Sequence, residues 1–117
     1  MGFSERKALK RCQSLIAPYA EPGEVVEDFD VGWFGGAEFD LIATDRTLWL
    51  LPTADGDLVK LPYSDISTVI WQPMNPNVWI LVVFTRTGAD ASVEIRDPRG
   101  LGAALQRRQS AMPSPDG

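Results

Sequence analysis

Few groups in this chain could do covalent or acid–base chemistry. It has one cysteine, Cys12, and no histidine. The side chain that most often moves protons near neutral pH is therefore missing, the usual zinc spacings cannot be written, and no internal disulfide can form. Cys12 falls on the apolar stripe of a helical pattern, where a free cysteine behaves as a small buried hydrophobe rather than as a thiolate. Asp28 and Asp30 stand two apart on the polar parity of a strand pattern, which is the signature of a solvated face. No nucleophile is gathered with a base, so the expectation is a protein that is not an enzyme, with no catalytic residue, no metal and no cofactor.

Binding chemistry has better material. Trp33 and Phe34 adjoin Gly35-Gly36, where an aromatic pair at a hairpin tip can dip into a membrane or a peptide groove, or else plug one end of the fold. Trp71 and Trp79 flank a turn built from Pro73, Asn75, Pro76 and Asn77, and core packing and interface are both open to them. The formal net charge is −5, which repels phosphate backbones and argues against nucleic acid as a partner. Within that average, Arg6, Lys7, Lys10 and Arg11 cluster near the start and acids gather from Glu21 to Asp45.

The elements that must position these groups can be read from periodicity. Ala8, Leu9, Cys12, Leu15 and Ile16 recur at steps of three and four, predicting an amphipathic helix within residues 1–20, capped by Ser4. Lys7, Lys10 and Arg11 fall off its stripe, and Pro18, Pro22 and Gly23 end it. Val25, Phe29, Val31 and Trp33 share one parity of a strand whose other parity carries Asp28 and Asp30. Gly35-Gly36 turns that strand into a second, with Phe39, Leu41 and Ala43 inward and Glu38 and Asp40 outward. Thr44-Asp45-Arg46 is a tight turn in which the Asp45 carboxylate accepts backbone N–H bonds. Asp55-Gly56 predicts a two-residue hairpin pairing Leu48–Leu51 with Leu58–Leu61. Ile66 to Gln72 makes a fifth strand, Val78 to Thr85 a sixth that is apolar on both parities, and Ala91, Val93 and Ile95 a seventh. Asp97 as N-cap and Pro98 at the first helical position open a last helix with Leu101, Ala104 and Leu105 on its stripe. Residues 110–117, rich in proline, form a flexible tail.

The segment LIATDRTLWLL, followed about a dozen residues on by LPYSDISTV, resembles the bacterial pleckstrin-homology-like families, including the YokE-like and GRAM-related groups. Thr44, Asp45, Arg46 and Leu48 match the first half of their pattern, and Leu61, Pro62, Tyr63 and Ile66 the second; Thr47 stands where these families often carry arginine. The resemblance implies a mainly β fold, a seven-stranded antiparallel barrel of two packed sheets over residues 24–109. A C-terminal helix caps it, and the N-terminal helix is an addition. In many eukaryotic pleckstrin-homology domains the first hairpin holds inositol phosphates with lysine and arginine. Here it carries Glu27, Asp28, Asp30, Glu38 and Asp40, so phosphoinositide binding is not expected.

No apolar run approaches the roughly 18 residues that span a bilayer, and a cytoplasmic protein is expected. The doubly apolar sixth strand then sets the functional expectation. One of its faces lies outside the core, and leaving four large side chains wet there would forgo roughly 1.5 to 3 kcal/mol each. The first helix, a second subunit or a target must cover it. The expectation is a non-enzymatic module for protein–protein association, in particular self-association as a homo-oligomer through the surface of strands five to seven, with Trp71, Trp79, Leu81 and Val83 as the contact residues. The alternative is a peripheral module on an anionic membrane, using Arg6, Lys7, Lys10 and Arg11 with the Trp33-Phe34 tip.

Overall fold

The computed structural model describes residues 3–96 and 98–111. The elements are α1 (Phe3–Ile16), β1 (Val26–Phe34), β2 (Ala37–Thr44), β3 (Thr47–Pro52), β4 (Val59–Pro62), a 3-10 turn over Tyr63–Asp65, β5 (Ile66–Asn75), β6 (Val78–Thr85), β7 (Ala91–Arg96) and α2 (Leu101–Ala111). The expected Ser4 side-chain cap and the Asp97 N-cap lie outside the described residues; of the tail expected over residues 110–117, Ser110 and Ala111 belong to α2 and the rest lies outside the described residues. The seven strands are hydrogen-bonded in the order β4-β3-β2-β1-β7-β6-β5, and every pairing is antiparallel. This mainly β architecture of a seven-stranded antiparallel sheet with two helices matches the expectation at that level.

The strands alternate, and each parity has its own cover. On the inner side Leu41, Ala43, Leu48, Leu50, Leu61, Leu81, Val83, Val93 and Ile95 close a core that α2 completes with Leu101 and Leu105. On the outer side of β1–β3 the stripe of α1 packs Cys12 and Ile16 against Val26, Ile42, Trp49 and Leu51. Ile42 and Trp49 are register partners on neighbouring strands, so one helix hides both. That is why Ile42, Trp49 and Leu51 are apolar although they face away from the inner core.

Several local expectations need correction. In β1 the predicted parity fails: Val25 precedes the strand and is 56% exposed, whereas Asp30 is buried. A bulge between Val26 and Asp28 shifts the alternation. Asp30 then faces inward and accepts hydrogen bonds from the Val31 N–H (3.1 Å) and the Arg99 N–H (2.9 Å). The Asp55-Gly56 hairpin is also not a two-residue turn. Leu48 pairs with Leu61 and Leu50 with Val59, leaving residues 53–58 as a longer loop. The end of β3 stays with β2 instead, through Pro52 opposite Phe39 and the Thr53 N–H donating to the Glu38 carbonyl (3.1 Å). Pro73 lies inside β5 opposite Trp79 rather than in the turn; β5 ends the sheet, and an edge strand tolerates proline. The Pro98 start of the last helix is likewise displaced, because Pro98 and Arg99 are not helical and α2 begins at Leu101.

Candidate functional site

Thr44, Asp45, Arg46 and Tyr63 meet at one end of the sheet. The Asp45 carboxylate does not take the N–H groups of its own turn as expected: it accepts the Val25 N–H (3.0 Å), 20 positions away, and its own N–H donates to the Val25 carbonyl (3.1 Å). Thr44 Oγ1 accepts the N–H groups of Arg46 (3.1 Å) and Thr47 (3.0 Å). Across the corner, the Tyr63 hydroxyl donates to the Thr44 carbonyl (2.6 Å), and the Tyr63 N–H donates to the Arg46 carbonyl (3.0 Å). Tyr63 is buried, and burial raises its phenol above the ordinary value. The Thr44-Asp45-Arg46 turn and the Tyr63 corner are thus stitched to each other. Arg46 spends its charge nearby, on Glu21 (3.0 Å) and Asp45 (3.8 Å).

Sequence reasoning missed the centre of this network. Glu24 is only 4% exposed. Its carboxylate accepts Thr44 Oγ1–H (2.6 Å), Trp49 Nε1–H (2.7 Å) and the Glu21 N–H (3.1 Å). Burial pushes this carboxyl up, but the hydrogen bonds from Thr44, Trp49 and Glu21 outweigh it and hold the group below the usual carboxylate range. Gln13 ties α1 to the same place, donating to the Glu24 carbonyl (2.9 Å) and accepting the Val26 N–H (3.0 Å). Every acceptor of Glu24 is spoken for by the fold, so its chemistry is structural.

Cys12 lies at the α1–sheet contact, 1% exposed, where burial and the neighbouring Asp40 raise its thiol. That is the environment of an inert small hydrophobe. Among the described residues no group of three cysteine, aspartate or glutamate side chains could hold a metal ion. A cleft of about 300 Å³ runs between α2 and the start of β1, lined by Asp28, Ala43, Ala104 and Leu105. The Glu27–Arg108 ion pair stands at its side, and the Arg108 guanidinium stacks 4.5 Å from the Tyr63 ring centroid. The charges there are engaged with one another.

The four residues expected to form the contact surface all point the other way. Leu81 and Val83 are core residues, each 1% exposed. Trp71 and Trp79 have the same inward parity, and they stack on each other at 4.6 Å. The Trp71 ring lies flat against Gly102 of α2, where an added Cβ would come within 2.4 Å. Because β6 is apolar on both parities, the sequence alone could not say which one faces out. The outward set is Val78, Ile80, Val82 and Phe84, with Ile70 opposite Val82 on β5. Ile70 and Phe84 are each 37% exposed, and none of the five belongs to either hydrophobic cluster. The helix that hides the outer side of β1–β3 does not complete the cover.

The residues of the membrane alternative are separated. Arg6, Lys7, Lys10 and Arg11 lie on the exposed side of α1, where Arg11 pairs with Asp40 (3.2 Å). Phe34 is 59% exposed beside the hairpin tip. Trp33 is half-buried, with the Arg96 guanidinium 4.8 Å from its ring centroid. No helix among the described residues is long and apolar enough to cross a membrane.

No family model matches the chain, and no curated protein matches it. Among solved structures it is similar to the C-terminal domain of an unknown protein from Leishmania infantum. The identity is 18% and the TM-score 0.57, covering 90% of this chain and 94% of that one. At that identity the likeness is one of fold.

Proposed function

We propose that the chain is a pleckstrin-homology-like domain that serves as a non-enzymatic binding module in protein–protein association, using the outer face of β5–β6–β7. The fold reading draws on the strand order, with β1 between β2 and β7 and α2 completing the inner core, and on the stitched Thr44 and Tyr63 corner. One observation carries the functional reading. The sheet has a single outer side, α1 covers its β1–β3 half, and Ile70, Ile80, Val82 and Phe84 leave the other half apolar, with Ile70 and Phe84 exposed, Ile80 and Val82 half-buried, and no helix among the described residues packed over them. An apolar face on hydrogen-bonded strands is suited to another protein surface. The membrane alternative has less to work with, because the apolar stripe of α1 is already consumed by Ile42 and Trp49, leaving an interfacial helix nothing to insert.

The test is co-purification from the native cell with three baits: the unaltered chain, the outer-face variant Ile70→Lys with Phe84→Glu, and the helix variant Lys7→Glu with Lys10→Glu. The expected result is loss of protein partners, second copies included, from the outer-face variant alone. Loss from the helix variant alone, together with pelleting of the unaltered chain on anionic vesicles, would overturn the reading.

A further inference from the structure

We infer that the occupant of the open face is a second copy of this chain, packed face to face in a closed two-fold pair. This inference rests on the reading of β5–β6–β7 as a contact surface and names its partner.

Charge selects the partner. A chain with net charge −5 repels its own copies over most of its surface. The outer side of β5–β7 is an exception. Its apolar residues are joined by uncharged Thr68, Gln72 and Ser92, and its two charges, Glu94 and Arg96, lie 3.4 Å apart and cancel. Two copies meeting here bring no net charge together. Like faces can also pack on each other without any complementary feature elsewhere, which is the condition for an isologous contact.

The geometry favours faces over edges. β5 ends the sheet and could in principle add a strand from a neighbour. However, register shifts fall at Ile66/Thr68 and Pro73/Asn75, and Pro73 removes a donor between them. Bulges and proline are the devices that blunt an edge against such pairing. The face itself is regular between those points, with Thr68–Phe84, Ile70–Val82 and Gln72–Ile80 in register. Continued across β7 to Trp33 of β1, which pairs with Glu94, it spans four strands. At about 4.8 Å per strand and four outward positions along β6, the footprint is roughly 500 Å² per copy. Two copies would bury roughly 1,000 Å², the range of reversible rather than permanent association. Growth stops at two, because the rest of the outer side is occupied by α1.

The pair places the middle of β6 close to itself. The middle of the four-strand footprint falls between β6 and β7, around Ile80, Val82 and Ser92, so Val82 lies near the two-fold axis and within reach of its own counterpart. Cys12 is buried and cannot compete in disulfide formation, so Val82→Cys reports on this contact cleanly. Sedimentation velocity over a concentration series, combined with mild oxidation of Val82→Cys and of a remote control, Lys10→Cys, tests the inference. The expected results are a mass rising with concentration from 12.9 kDa toward twice that value and no further, reversible disulfide pairing of Val82→Cys but not of Lys10→Cys, and loss of association in Ile70→Lys, whose position on an edge strand spares the core. A strict monomer would overturn the inference, and so would growth past two copies, or association that persists in Ile70→Lys without Val82→Cys pairing. If the chain is monomeric yet the outer-face variant still loses a partner from the native cell, the inference falls and the contact-surface reading survives.

Discussion

Glu24 is the residue on which one end of the molecule is hung, and it makes a prediction about acid. Its carboxyl is held below the range of an unfolded glutamate, so the folded state binds its proton less readily than the unfolded state does. The stabilisation this supplies is complete above the unfolded value of about 4.3 and is lost as pH falls through the folded value. Glu24→Gln is expected to cost about 1 to 3 kcal/mol at neutral pH, since Thr44 and Trp49 donate to one carboxylate oxygen and the Glu21 N–H to the other, so an amide that keeps the first two must turn its NH2 toward the Glu21 donor. It is also expected to flatten the acid limb of a urea-denaturation series. Asp30 has the opposite sign: burial raises its carboxyl against the hydrogen bonds from Arg99 and Val31, so its contribution diminishes as pH rises through the folded value. The bend at Thr44-Asp45-Arg46 was legible in the sequence as a bend, although Thr44 Oγ1, not the Asp45 carboxylate, takes its N–H groups, and Asp45 reaches instead to the Val25 backbone 20 positions away. Glu24 was not legible, because its burial depends on Thr44 and Trp49, 20 and 25 positions away. A lone glutamate beside Gly23 gives no local sign of that.

At the scale of elements, α2 is seated by an absence. Gly102 lets the Trp71 ring lie against the helix, with the Trp79 ring stacked behind it. Gly102→Ala is expected to displace both rings and cost about 1 to 3 kcal/mol despite the gain in helix propensity. Near-UV circular dichroism, which reports the tryptophan stack, should lose intensity while the far-UV signal is kept. The same elements show what periodicity can and cannot tell. The stripe Ala8, Leu9, Cys12, Leu15 and Ile16 identified α1 and its buried side, and strands two, six and seven fell where alternation placed them. β1 was misread because a bulge after Val26 reverses parity without any glycine or proline to mark it. β6 was located correctly, but VWILVVF carries no polar parity to orient it. The contact residues were therefore chosen from the wrong side of a correctly identified strand.

The whole molecule is a sheet with one inner side and one outer side, two helices to cover them, and too little helix for the job. α2 completes the inner core, and α1 takes half of the outer side. The remainder is the largely apolar face of β5–β7, whose Glu94 and Arg96 charges cancel, on an otherwise acidic chain. The most direct measurement is a two-dimensional NMR spectrum of the isotopically labelled chain, followed from micromolar to millimolar concentration. Concentration-dependent shifts are expected at Thr68–Gln72, Val78–Phe84 and Ser92–Arg96, with α1 and the Gly35-Gly36 turn unmoved. Shifts confined to α1 and that turn, or a spectrum that does not change with concentration, would contradict the face-to-face pair.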